Sequence, residues 1–410
     1  MEWLYALGEL AFPWLHLGNT QTYQLEKIQF ADLTGVYGIS FWILVMNVLV
    51  YFLVKSIQAG VRTKSQYYLV GAILGVYLLP NFYTAAPLES LQPNGKGITV
   101  GILQPNIDPW NKWEGAKTFQ GRWTQTVEYL RLMERKVNDS LDLFVLPESA
   151  ILLDLPQLPL EMEEFKNVVD KLKVSVISGY VHTKFYEQGN APVSSSTLKG
   201  RSTRYDSFNS ILYVQPDNDT LQTYNKMRLV PFAERIPYAN KVPFLIEPLR
   251  WGVGISNWGL AHDSTVFSSQ QLNTKFLAMV CYESIFPEFV SQFVQKGAEF
   301  LVFTTNDSWW GNTSGARQHN QYAVLRAVEN RRWVVRCANG GISSFIDPCG
   351  KMYDKTEMYT EAYIQRKIQP YTALTFYSLH GDWLARICAS IALLFFLFSI
   401  GYAFFRKPNE

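Results

Sequence analysis

The chain has 410 residues, which is enough for about two or three domains. Its residues are 48% hydrophobic, 15% aromatic and only 18% charged, a composition that excludes a disordered or collagen-like chain. The formal net charge of +2 gives no general attraction to nucleic acid, so we expect no nucleic-acid partner. The four cysteines show no CxxC spacing, which excludes a disulfide scaffold and disfavours a structural zinc site.

Long apolar runs lie near both ends of the chain. The run at 33–54 holds 22 residues without a charge, and a shorter run with tyrosine-rich flanks extends through residue 83. A third run, at 384–405, precedes a short basic tail. About 20 apolar residues cross a bilayer core as a helix, so we predict two transmembrane helices in 33–83 and a third at 384–405. For the first run, a buried core helix is the alternative.

Basic residues predict the orientation of these helices, because lysine and arginine collect in cytoplasmic loops. They are concentrated in the loop 55–64 and in the tail after residue 405, as Lys55, Arg62, Lys64, Arg406 and Lys407. Both segments should therefore face the cytoplasm. The middle of the chain should lie on the opposite side of the membrane, which in a bacterium is the periplasm.

The first 32 residues carry no signal peptide, since Glu2 and Glu9 stand where a basic region would be. Their composition predicts an interfacial segment with an amphipathic helix and a turn at a proline. A cytoplasmic loop at 55–64 would place these residues outside the cell with no earlier span to carry them there. We therefore expect that the chain lacks N-terminal spans, or that a separate partner supplies them, and that it is weakly active alone.

The middle of the chain has the texture of an α/β domain. Short apolar runs predict strands, and segments with helical spacing at 119–138 and 317–332 predict helices between them. Strands buried on both faces with intervening helices are typical of an α/β sandwich. The predicted strands lie at 98–106, 141–149, 174–181, 207–215, 275–284 and 299–308.

Polar residues follow several of these strands at the point where each ends. Glu148 follows LFVLP, Cys281 follows KFLAMV, and Asn306 and Asp307 follow EFLVFTT. Sites in α/β sheets form at the carboxyl ends of strands, so Cys281 is a candidate nucleophile. The alternatives are a small buried hydrophobe for Cys281, a solvated cap for Glu148 and an ordinary surface lysine for Lys226.

Motifs for several other chemistries are missing from the sequence. It contains no GxSxG, HExxH, Walker A or GxGxxG motif, and its five histidines lack metal-ligand spacing. We therefore expect no metal and no cofactor.

Four segments taken together indicate a protein family more specifically than any single strand-end residue does. VLPES, YNKMRLVPFAERIP, VCYESIFPE and TTNDSWWG occur in this order and resemble the carbon–nitrogen hydrolase, or nitrilase, family. The resemblance implies a catalytic domain over 97–368, an α/β fold with a four-layer α–β–β–α sandwich, and flanking transmembrane helices. It also implies a triad of Glu148 as base and acid, Lys226 as oxyanion stabiliser and Cys281 as nucleophile.

Residues around the triad receive roles from the same resemblance. Glu234 is similar to a second glutamate of the family that holds the lysine, and Tyr282 and Glu283 are assigned supporting roles beside the nucleophile. Trp113 and Trp310 are predicted to bind substrate near a mobile lid. For both tryptophans, core packing or anchoring at the membrane interface is the alternative.

The flanking segments narrow the resemblance to the apolipoprotein N-acyltransferase family. FPWLHLGN, LQPNIDPWNKW and RAVENRRWVVRCANGGISSFIDPCG are the segments that carry it. It implies transfer of a fatty acyl chain from a phospholipid to the N-terminal amine of an apolipoprotein, in the bacterial inner membrane. The alternatives are a membrane-tethered amidase with the same triad and water as acceptor, and an inactive scaffold, against which the intact triad argues.

Overall fold

The structure is a computed structural model that describes residues 1–60, 64–83, 91–187, 189–198, 200–241, 244 and 257–405. Within these residues the strands form two sheets. The first sheet has the order β13–β1–β2–β3–β5–β4, with β6 paired to β5. Its strands are β1 (Ile98–Gln104), β2 (Leu143–Val145), β3 (Ser175–Tyr186), β4 (Ser196–Thr197), β5 (Arg204–Gln215), β6 (Asn218–Asn225) and β13 (Ala362–Ile368).

The second sheet has the order β12–β11–β10–β9–β8–β7 in the described part of the chain. Its central strands β8, β9 and β10 are parallel, like β1, β2 and β3 of the first sheet. Its strands are β7 (Phe267–Ser269), β8 (Thr274–Val280), β9 (Leu301–Thr305), β10 (Val334–Ala338), β11 (Ser344–Ile346) and β12 (Met352–Tyr353).

The described helices fall into a membrane-side group and a group that covers the sheets. The first group is α1 (Glu2–Tyr5), α2 (Leu25–Ile28), α3 (Ala31–Gln58), α4 (Lys64–Phe82), α10 (Phe376–His380) and α11 (Trp383–Phe405). The second group is α5 (Pro109–Gly115), α6 (Phe119–Lys136), α7 (Pro159–Leu172), α8 (Pro287–Gln295) and α9 (Ser314–Asn330).

Alternation along the buried strands creates the layers. In β2, Leu143 and Val145 face the second sheet, whereas Phe144 faces α6 and α7. Successive side chains of a strand point to opposite faces, so a strand that is apolar at every position packs on both sides. The helices α8 and α9 belong to the core on the side of the second sheet. The predicted four-layer α–β–β–α sandwich is confirmed, as are the six strands and two helices predicted inside it.

Two described helices, Ala31–Gln58 and Trp383–Tyr402, are long and apolar enough to cross a membrane. The second predicted span, which extends through residue 83, forms the 19-residue helix α4, which packs beside α3 but is less apolar. Burial in α3 ends at Ser40, and beyond it apolar side chains such as Leu44 and Val48 are about half exposed. That exposure fits helices that leave the catalytic domain and present their apolar side chains to lipid.

The N-terminal segment differs from the amphipathic helix predicted for it. It forms a four-residue helix followed by short 3₁₀ turns at Pro13–Leu15 and Leu17–Gln21. Its backbone accepts hydrogen bonds from the catalytic domain, from Tyr282 Oη to the Ala11 oxygen at 2.9 Å and from Tyr322 Oη to the Trp14 oxygen at 2.9 Å. These tertiary contacts compensate for the missing helical hydrogen bonds. Its placement at a membrane interface stays a prediction.

Candidate active site

Cys281 stands where β8 ends and a 3₁₀ turn begins. Its backbone has a φ of 51°, in the left-handed region that non-glycine residues rarely occupy. A residue held in this conformation costs on the order of 1–3 kcal/mol and persists only where its surroundings enforce it. The positive φ breaks the strand at Cys281 and lets a 3₁₀ turn follow directly, as expected of a nucleophile at a strand end.

Lys226 follows β6 and is completely buried. Its ammonium donates to Glu234 Oε1 at 2.7 Å and lies 3.9 Å from Glu148 Oε1. Burial by itself lowers the pKa of Lys226, but Glu234, Glu148 and Cys281 together raise that pKa above its ordinary value. The lysine is therefore a fixed positive charge, held between two carboxylates at the centre of the site.

Glu148 follows β2 and is 7% exposed. Its Oε1 accepts a hydrogen bond from Asn209 Nδ2 at 2.6 Å. The backbone oxygen of Asn209 in turn accepts a hydrogen bond from the backbone nitrogen of Lys226 at 2.9 Å. Burial raises the pKa of Glu148, although Lys226 and Asn209 oppose that shift. A carboxyl group with a raised pKa suits a residue that must take a proton and later return it.

The surroundings of the Cys281 thiol disfavour its thiolate form. Burial raises its pKa above the ordinary value, the charge of Glu148 raises it further, and Lys226 lowers it. Lys226 by itself would lower the thiol pKa, but burial outweighs that effect. A thiol in this environment requires a base, and Glu148 stays the predicted one.

Glu283 links the strands that carry Cys281 and Lys226. Its Oε2 accepts from the Val280 nitrogen at 2.9 Å, and its Oε1 accepts from the Met227 nitrogen at 2.7 Å and from Tyr224 Oη at 2.5 Å. Val280 precedes the nucleophile and Met227 follows the lysine. One buried carboxylate thus fixes the distance between the two catalytic strands, which supports the role predicted for Glu283.

A buried polar network lies behind Cys281, and the sequence analysis singled out only Asp307 among its members. His319 Nε2 is 3.2 Å from the Cys281 oxygen, and His319 Nδ1 is 2.9 Å from Asp307 Oδ1. Arg336 donates to Asp307 Oδ2 at 2.7 Å. Burial alone raises the pKa of Asp307, but Arg336 and His319 outweigh it and hold that pKa well below the ordinary value. This network stabilises the left-handed turn at Cys281 from behind.

Three ligand-type atoms of Cys281, Asp307 and His319 lie within 4.8 Å of one another. A metal ion would have to share this space with the guanidinium of Arg336, which already pairs with Asp307 and lies 3.1 Å from His319 Nδ1. Two cations in one buried cluster repel each other strongly. The donor set therefore fits an internal ion pair rather than a metal centre.

The two predicted substrate-binding tryptophans have different surroundings. Trp310 packs edge-on against Trp14, with ring centroids 5.1 Å apart, and against His319 at 5.2 Å. Trp113 lies on α5, is 38% exposed and contacts Trp258 at 6.3 Å. Trp310 is thus part of the packing beside Cys281, whereas Trp113 presents an indole face at the surface. Their roles toward substrate stay predictions.

Comparison with known protein families agrees with this arrangement. The carbon-nitrogen hydrolase family profile matches residues 99–375, and the profile of the apolipoprotein N-acyltransferase N-terminal domain matches residues 1–49. The fold and the site thus define a carbon–nitrogen hydrolase with a membrane-side N-terminal part.

Individual proteins with similar sequences narrow the family assignment. The apolipoprotein N-acyltransferase of Chlorobaculum tepidum is 34% identical over 95% of this chain and 73% of its own length. That of Geobacter metallireducens is 31% identical over 92% of this chain and 68% of its own length. Among solved structures, Saccharomyces cerevisiae Nit3, of the nitrilase superfamily, aligns over 70% of this chain and 93% of its own at 17% identity, with a TM-score of 0.44. The chain belongs to the apolipoprotein N-acyltransferase family.

Proposed function

We propose that this acyltransferase moves a fatty acyl chain from a membrane phospholipid to the N-terminal amine of a diacylglyceryl-cysteine apolipoprotein. Cys281 carries the chain as a thioester, Glu148 moves the protons and Lys226 stabilises the oxyanion. The observation that carries this proposal is the fully buried Lys226 between Glu148 and Glu234, at the strand ends beside Cys281.

The first half-reaction loads the enzyme. Glu148 removes the Cys281 proton, and the thiolate attacks the ester carbonyl of the phospholipid. Negative charge develops on the carbonyl oxygen, where the Lys226 ammonium stabilises it. The tetrahedral intermediate then expels the alkoxide of the lysophospholipid, which takes the proton from Glu148 as it leaves.

The second half-reaction unloads the enzyme onto the acceptor. The α-amine of the lipidated cysteine attacks the thioester, and Lys226 again stabilises the oxyanion. Glu148 takes a proton from the attacking nitrogen and returns it to the Cys281 thiolate as the amide forms. The same three residues serve both steps, so donor and acceptor bind in turn in a ping-pong course.

An amidase would use the same triad with water as the acceptor. The apolar helices α3 and α11 favour the transferase, because a soluble amide substrate requires no membrane attachment. Both lipid substrates of the transferase reside in a bilayer, which explains a catalytic domain carried on apolar helices.

The mass of Cys281 tests the function. After incubation of the protein with a phospholipid of defined acyl chains, we expect the peptide that contains Cys281 to gain one fatty acyl group. The adduct should disappear when a diacylglyceryl-cysteine peptide is added, and that peptide should gain the same mass. Absence of the adduct, with the fold intact, would contradict the transferase and leave the amidase as the better account.

Contacts at the base of the helices support a common membrane side for the catalytic domain. Tyr83 Oη donates to Asp32 Oδ1 at 2.7 Å, and Trp383 Nε1 donates to the Leu33 oxygen at 2.8 Å. The bases of α3, α4 and α11 therefore lie together, and Asp32 pairs with Arg331 of the catalytic domain. The opposite end holds Lys55. We infer a multi-pass protein of the bacterial inner membrane whose catalytic domain lies in the periplasm.

A reporter that is active only in the periplasm tests this orientation. We expect no activity when it follows Gly60, in the loop after α3, and high activity when it is inserted at Asp217, in the exposed β5–β6 turn of the catalytic domain. The reverse pattern would place the catalytic domain in the cytoplasm. Of the basic residues that predict the orientation, Arg62 and the tail with Arg406 and Lys407 lie outside the described residues.

A further inference from the structure

Lys112 is a buried ammonium group that the mechanism does not use. Its side chain is on α5 and the residue is 1% exposed. Within the described part of the chain, its Nζ has no hydrogen-bond partner. A buried charge without a partner is costly, so this ammonium requires an explanation, and a bound anion is one that would satisfy it.

Contacts of α5 with residues next to the triad place Lys112 near the catalytic residues. Trp113 of α5 contacts Trp258, whose backbone nitrogen donates to the Glu234 oxygen at 3.0 Å. Burial lowers the pKa of Lys112 to about 8, and the nearby charge of Glu148 opposes that shift. Its backbone is fixed on both sides, because its nitrogen donates to the Asp108 oxygen at 2.9 Å and its oxygen accepts from Gln125 Nε2 at 3.0 Å. The helix backbone thus holds the Lys112 side chain in place, while its ammonium donates no hydrogen bond to the described residues.

The same short helix carries exposed apolar rings. Trp110 is 56% exposed and lies 5.2 Å from the ring of Trp309, and Trp113 is 38% exposed. The helix therefore presents indole groups outward and one ammonium inward. A ligand that matches this pair of features has an apolar chain next to a negative charge.

We propose that the Lys112 ammonium binds the phosphodiester of the acyl-donor phospholipid, an inference that rests on the function proposed above. The donor carries one negative phosphate a few bonds from the ester that Cys281 attacks, so a single buried cation matches its charge. The acceptor amine is basic and would be repelled. Lys226, already bound to Glu234, is the cation assigned to the carbonyl oxygen.

Substitution of Lys112 by methionine tests the proposal, with two kinds of donor. The rate of acyl-enzyme formation is measured with phosphatidylglycerol or phosphatidylethanolamine in mixed micelles, and with p-nitrophenyl palmitate, which has no phosphate. We expect Lys112→Met to lower the ratio of kcat/KM for phospholipid over the neutral ester by about 10- to 100-fold, the loss typical of a hydrogen bond to a charged group. Both headgroups should be affected alike, since both contain the phosphodiester.

Lys117→Met is the matched control, because Lys117 lies five positions later, is 71% exposed in its side chain and pairs with Glu114 at the surface. It should leave the ratio unchanged, and Lys112→Arg should restore part of it. The thermal midpoint of Lys112→Met should not fall, because the change removes an unpaired buried charge.

Two outcomes would overturn the inference. An equal loss with both donors would mean that Lys112 acts on the carbonyl or on Glu148, and a loss confined to one headgroup would place it at that headgroup. If the unmodified protein is acylated by p-nitrophenyl palmitate but by no phospholipid, the proposed function itself fails, and the inference fails with it.

Discussion

Cys281→Ala is expected to abolish both acyl-enzyme formation and transfer. Loss of the nucleophile in a covalent enzyme reduces kcat by roughly a million-fold, which leaves no measurable turnover. The variant should keep the fold, because the change removes a single sulfur atom from each molecule and Lys226, Glu148 and Glu234 stay paired. The measurements are transfer of a radiolabelled acyl chain to a lipopeptide and circular dichroism of the purified protein.

The matched control is Cys388→Ala, a cysteine of α11 far along the chain from the strand ends of the site. It should retain transfer at nearly the original rate. Normal turnover by Cys281→Ala would show that another group is the nucleophile and would refute the mechanism.

Lys226→Met should have the second largest effect. Removal of one oxyanion-stabilising group typically raises the barrier by about 3–4 kcal/mol, which slows transfer by roughly a hundred- to a thousand-fold. The same change leaves Glu148 and Glu234 buried without their counter-charge, and breaking such a pair costs about 3–5 kcal/mol of stability. Acylation rate and the free energy of unfolding should therefore both fall.

A double variant separates these two effects. Lys226→Met with Glu234→Gln removes one positive and one negative charge, so the net charge of the cluster returns to its original value. The glutamine can still accept the hydrogen bond that the Val230 nitrogen donates to Glu234 Oε2. We expect stability to recover substantially and the acylation rate to stay low. A double variant with a near-normal rate would mean that Lys226 is needed for folding alone.

Much of the fold was predictable because it depends on local patterns. Apolar runs such as 141–149 and 299–308 are buried when they form strands of a sheet that is covered on both faces. The structure places β2 and β9 in such positions. Helix α6 agrees with its prediction because its apolar spacing and its N-terminal cap at Thr118 lie within the segment itself. The N-terminal segment was harder, because its backbone partners lie hundreds of residues away.

The sequence placed Glu148 and Cys281 at strand ends by their position after apolar runs, and the family motifs added Lys226 and Glu234. It offered no means to find Asn209, which lies inside β5 and contacts Glu148 across the sheet. Asn209 is one of several polar residues in β5, so its residue type alone did not single it out. A strand-end position is a property of a few neighbouring residues, whereas a contact between strands depends on register.

By itself the sequence determined the α/β class, the apolar terminal helices and the residue types that ionise, because patterning and composition act over short stretches of chain. Only the tertiary structure decided which charges meet. It pairs His319 with the carbonyl of Cys281 across 38 residues, and among the described residues it leaves the Lys112 ammonium without a hydrogen-bond partner. The physical reason is that burial and the distance between charges set these pKa values and pairings, and both exist only when distant segments pack together.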